Sequence, residues 1–130
     1  MSTNVLVVDS DTVSCEIIGG VLQSRYPDTR VTEINDGEEA IKALTEHGDY
    51  VDAIIIGTEL STTDGWELLY VIKDEDNWPG LPVVVMVTEG SMWEDSLKAH
   101  TLGANHFISK PFKNAELFEV LDSVIEGEMV

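Results

Sequence analysis

Basic residues are scarce in this chain, with seven lysines and arginines against 25 aspartates and glutamates, a formal net charge of −18. A surface so acidic repels polyanions, which argues against DNA, RNA or an anionic membrane as partner of the isolated unit. Cysteine occurs once, at Cys15, so no internal disulfide can form. That suits a reducing cytoplasm, and a place on the first expected helix marks Cys15 as a buried, inert thiol. No apolar run approaches the roughly 20 residues needed to span a bilayer. The opening Met-Ser-Thr-Asn has no basic n-region, so no signal peptide is expected. Internal repeats, low-complexity tracts and linkers are also missing.

What is present is enough for one core. A chain of 130 residues, 43% of them hydrophobic, fits a single globular domain over 1–130. The acids are spread along the whole chain and not gathered in a tail, which makes them a solvated surface. Self-repulsion of that surface is relieved by concentrated salt, and a halophilic, archaeal host would explain it. An acidic domain from an ordinary cell is the plainer alternative.

The stretch from Asp52 to Gly65 organises the rest. Ala53–Ile56 is β-branched and apolar, as a strand buried on both faces must be. It breaks at Gly57 and passes through a polar loop to the Asp64-Gly65 turn. Before it, Val5–Val8 reads as a central strand ending at Asp9-Ser10-Asp11. A helix over Thr12–Arg25 follows, with Val13, Ile17, Ile18, Val21 and Leu22 expected on its core face and Asp11 as its cap. Arg30–Ile34 alternates, as a strand nearer an edge does. Asp36 caps a second helix that presents Ala40, Ile41 and Leu44 and ends at Gly48. A third helix over Trp66–Ile72 turns Trp66, Leu69 and Ile72 or Val71 to the sheet. Val83–Val87 is the most apolar strand, and a fourth helix runs from near Ser91 to Gly103. His106–Ser109 is the fifth strand, and Asn114–Gly127 the last helix, with Leu117, Leu121 and Val124 or Ile125 inward. Strands alternating with crossover helices require a parallel sheet covered on both faces.

In that architecture the loops after strands one, three, four and five meet at one end. They bring Asp9-Ser10-Asp11, Gly57-Thr58-Glu59, Thr88-Glu89 and Lys110-Pro111 together. As an ordered set, Val5-Leu-Val-Val-Asp9, Asp64-Gly65, Leu81-Pro82, Thr88, Gly103-Ala104 and Lys110-Pro111-Phe112 resemble a response-regulator receiver domain over essentially the whole chain. The resemblance implies a flavodoxin-like, CheY-like (βα)5 sandwich with strand order 2-1-3-4-5. It also implies an Asp at the end of strand three that takes a phosphoryl group from a kinase histidine. Acids after strand one hold Mg²⁺ with it, a Lys and a hydroxyl contact the phosphoryl oxygens, and an aromatic on strand five reports the change.

This chain keeps part of that set. Seven residues before Asp64, the acceptor position falls on Gly57, which has no side chain. Asp9 stays, but Ser10 replaces the second acid. Thr88 and Lys110 match the hydroxyl and the lysine, and Thr88 with Phe107 matches the switch. Glu89 is larger than the residue usual there, and Ser61 stands where proline is common. The implied protein is a degenerate or pseudo-receiver, not an enzyme, with Mg²⁺ binding weak or absent and Asp9 and Glu59 the only weak metal candidates. Lys110 could pair directly with Asp9, or be kept by loop geometry alone. His47, His100 and His106 have no ligand spacing. Trp66 is expected in the core; Trp93 either packs or is exposed on the face receivers use for partners.

Three functions stay open at this point. One is a phosphorylation-independent module of two-component, phosphorelay signalling, binding a histidine kinase or an output domain through helix four, strand five and helix five. Another is a phosphotransfer receiver with Asp9, Glu59 or Thr58 as unusual acceptor. The last is a flavodoxin-like small-ligand binder, against which the acidic loop after strand one speaks. Homodimerisation through the last helix and strand is left undecided.

Overall fold

The computed structural model describes residues 3–58, 60, 64–87, 92–109 and 113–127, with 85–87, 92–93 and 125–127 as backbone only. Five strands, β1 (Thr3–Val8), β2 (Thr29–Ile34), β3 (Ala53–Gly57), β4 (Val83–Val87) and β5 (His106–Ser109), form one sheet. All pairings are parallel and the order is β2-β1-β3-β4-β5. The helices are α1 (Thr12–Arg25), α2 (Gly37–His47), α3 (Gly65–Lys73), α4 (Met92–Thr101) and α5 (Asn114–Gly127). The parallel sheet expected from the alternation, and the flavodoxin-like order implied by the resemblance, are the ones observed, with β2 at an edge.

Alternate residues of each central strand feed two separate cores. Leu6, Val8, Ile54, Ile56 and Val83 meet α2 and α3 through Ala40, Leu44, Leu68, Leu69 and Ile72, with Ala99 of α4. Val5, Val7, Ala53, Ile55, Val84 and Ile108 meet α1 and α5 through Ile18, Leu22, Leu117 and Leu121. Each such Leu, Ile or Val contributes roughly 1.5–3 kcal/mol by leaving water, which is why these strands are almost wholly apolar.

Two helix faces differ from the sequence reading. On α1, Val13 and Ile17 are 59% and 50% exposed, while Cys15, Ile18 and Leu22 are buried. The helix is apolar on two sides, so spacing alone does not choose between a face through 13 and 17 and one through 15, 18 and 22. Cys15 is buried as expected. On α3, Leu68 joins Leu69 and Ile72 inside, and Trp66 is only partly buried against the same core.

The ends of the helices follow local chemistry. Asp11 accepts from the Val13 amide and Asp36 from the Glu38 amide, as N-caps do. Helix α2 ends at Gly48, but with right-handed backbone (φ −56°), running into a 3₁₀ turn over Gly48–Tyr50. Glycine is required there by contact, because a Cβ would lie 2.7 Å from the indole Nε1 of Trp78. After α4, Gly103 takes φ +97°. Its amide donates to His100 and that of Ala104 to Ala99, the two bonds of a Schellman close. Lys73, at the end of α3, donates to the carbonyls of Leu81 and Pro79 and to Oδ1 of Asn105. Partial burial lowers its pKa, since a desolvated ammonium is disfavoured.

Candidate functional site

The C-terminal ends of β1 and β3 adjoin, with Val8 opposite Ile56 in register. Asp9 follows β1 and is only 4% exposed. Its backbone is held from β2's side, its amide donating to Ile34 and its carbonyl accepting from Asn35 Nδ2 at 3.0 Å. The Cys15 thiol lies 3.5 Å from the same carbonyl. The Asp9 side chain then turns toward β3, with Oδ1 accepting the Asp11 amide at 3.0 Å.

Gly57 is the last residue of β3 and is buried. A Cβ built on it would lie 2.6 Å from Asp9 Oδ2 and 2.7 Å from Asp9 Cγ. No real side chain sits so close, so the Asp9 carboxylate occupies the space that any side chain at 57 would enter. Across from it, the Asp64-Gly65 turn packs directly on the strand end. The Gly65 amide donates to the Thr58 carbonyl at 2.9 Å, and Asp64 caps α3 by accepting the Glu67 amide at 2.8 Å.

The acids after β1 therefore have different tasks. Asp11 is exposed and caps α1, with Oδ1 taking the Val13 amide and Oδ2 the Ser14 hydroxyl. Asp9 points into the site. Ser10, between them, is exposed. Among the described residues no group of three His, Cys, Asp or Glu side chains could hold a metal ion. His47 lies at the end of α2, His100 on α4 and His106 on β5.

Of the residues singled out from sequence, Asp9, Ser10, Gly57 and Thr58 come together at this end. Glu59, Ser61, Thr88, Glu89 and Lys110 lie outside the described residues, as do the Lys110–Asp9 pairing and the side chain of Trp93. Phe107 is partly buried against the α2–α3 core, opposite Val85 on β4. Sequence reasoning missed Asn35, whose amide fixes the Asp9 carbonyl; an Asn directly after the edge strand was the available signal. It also missed how tightly Gly65 is pressed against Gly57.

The profile of the response regulator receiver domain matches residues 5–122. The chain belongs to that family. Receiver domains are modules of two-component signalling. This receiver is 33% identical over 122 residues to the chemotaxis protein CheY homolog of Campylobacter jejuni, covering 92% of this chain and 90% of that one. It is 31% identical over 120 residues to hybrid signal transduction histidine kinase L of Dictyostelium discoideum, covering 90% of this chain and only 7% of the kinase. In structure it superposes on a response regulator receiver domain protein from Clostridium thermocellum with a TM-score of 0.85 at 20% identity, covering 98% and 97% of the two chains. No helix among the described residues is long and apolar enough to cross a membrane.

Proposed function

We propose that this receiver, a single domain over 1–130, signals by protein–protein contact without being phosphorylated at the end of β3. The observation that carries the reading is the packing of Asp9 against Gly57. The position that the family resemblance gives to the acceptor has no carboxylate, and its space is filled by Asp9, 2.6 Å from where a Cβ would stand. Mg²⁺ does not fit the donors described here either. A hard cation needs several oxygens aimed at one point, whereas both Asp11 oxygens are engaged at the start of α1 and Ser10 offers no charge. In this reading the domain is a non-catalytic binding module, working in the cytoplasm with a histidine kinase or an effector domain as partner. Its acidic surface fits a halophilic, archaeal host.

Beryllofluoride, which mimics a phosphoryl group on a carboxylate, tests the reading in the presence of Mg²⁺ by tryptophan fluorescence in molar salt. The natural protein is expected to give no response, and the double variant Gly57→Asp, Ser10→Asp to regain one. A saturable response of the natural protein would overturn the proposal and direct attention to another carboxylate, Asp9 or Glu59, as acceptor.

A further inference from the structure

At the opposite end of the sheet a cavity of about 380 Å³ opens between β1, β2 and the end of α2. Its position follows from register. Leu6 of β1 lies beside Thr32 of β2, and Asn4 beside Arg30, so these side chains share the face that α2 covers. Beyond β2 the sheet stops, which leaves the cavity open along that edge. Leu6, Ala43 and Val51 supply its apolar lining, and Asn4 and His47 also border it. Tyr50, in the 3₁₀ turn, also lines it and is 71% exposed.

Arg30 stands on the rim. In a chain with 25 acids and seven bases, a guanidinium should find a carboxylate easily. Arg25 does so with Asp122, but Arg30 makes no ion pair among the described residues. A free fork of N–H donors beside an apolar floor is the pattern of a site for an amphipathic anion. The volume falls within the range of small-molecule pockets, at its lower end.

The geometry points to a binding site for a small aromatic carboxylate. Its ring lies on Leu6, Ala43 and Val51 against the face or edge of Tyr50, and its carboxylate is held by Arg30, with the Thr32 hydroxyl alongside. The site is at the N-terminal ends of the strands, away from Asp9 and Gly57, so it stands whether or not the domain is phosphorylated.

Benzoate and its neutral isostere benzamide are the probes, titrated into the full chain in about 0.5 M NaCl, which screens the protein's net charge. Backbone amide shifts in two-dimensional NMR give the readout. Benzoate is expected to move Leu6, Thr32, Ala43 and Val51 on one saturable curve, with benzamide binding about tenfold more weakly. Arg30→Gln, at an exposed edge position, should reduce benzoate to the level of benzamide. Ala43→Trp, which fills the cavity, should abolish both; if it does not fold, Arg30→Gln alone decides. Absence of saturable shifts with benzoate would overturn the inference. So would equal binding of the two probes, or a benzoate affinity unchanged in Arg30→Gln.

Discussion

At Gly65 an added Cβ would lie 2.7 Å from the Cα of Thr58 and run into the carbonyl oxygen of Gly57. Both obstacles are backbone, so neither can swing aside. Gly65→Ala is therefore expected to cost about 1–3 kcal/mol, read as a lower urea midpoint, because the turn must separate from the end of β3. Gly20 is the contrasting case. It lies inside α1 with nothing within 4 Å of its missing Cβ. Gly20→Ala should raise stability by about 0.5–1 kcal/mol, through helix propensity and a less flexible unfolded chain. If both substitutions move the midpoint alike, contact at position 65 is not what requires glycine.

Between elements, the firmest polar link described is the one from α1 to α5. Arg25 donates Nε and Nη2 to the two Asp122 oxygens at 2.8 and 2.7 Å, and its guanidinium lies 4.7 Å from the Phe118 ring centre. The hydrogen bond from Arg25 holds the Asp122 carboxyl below its ordinary 3.8. With the folded pKa depressed, the unfolded chain takes up this proton first as pH falls. The pair's contribution is thus fully present above pH 3.8 and fades as pH falls through the folded value. Arg25→Gln should remove that part of the acid limb, so urea midpoints of the two proteins should converge as pH drops from about 5 to about 2. A difference independent of pH would mean that the guanidinium acts by packing on Phe118 instead. Most elements could be read from the sequence because the central strands are apolar runs and the helices carry caps such as Asp11 and Asp36. The inward face of α1 could not be, since apolar residues at 13 and 17 compete with those at 15, 18 and 22 until α5 and the sheet are in place. At the site, the meeting of the ends of β1 and β3, with Asp9 and Gly57, was legible from the order of apolar strands. The direction of the Asp9 carboxylate was not, for it depends on a neighbouring strand having no side chain to oppose it.

For the molecule as a whole, charge sets the terms. Three of the described cations are given to specific tasks: Arg25 to Asp122, Lys73 to three oxygens between α3 and β5, and Lys98 to the ring of Trp66 at 4.7 Å. With all seven bases counted, the net charge over the 130 residues is still −18. Raising NaCl from about 0.1 M to about 1 M shortens the screening length from about 10 Å to about 3 Å, and the melting temperature should rise accordingly. A melting temperature that stays flat or falls over that range would show that self-repulsion is not a significant cost to the fold. The contact between Asp9 and Gly57 also bears on descent. Any lineage in which a carboxylate appears at 57 must turn the end of Asp9 aside, and it then carries two acids side by side in one buried place. Position 57 thus admits a side chain only as far as the end of Asp9 can move.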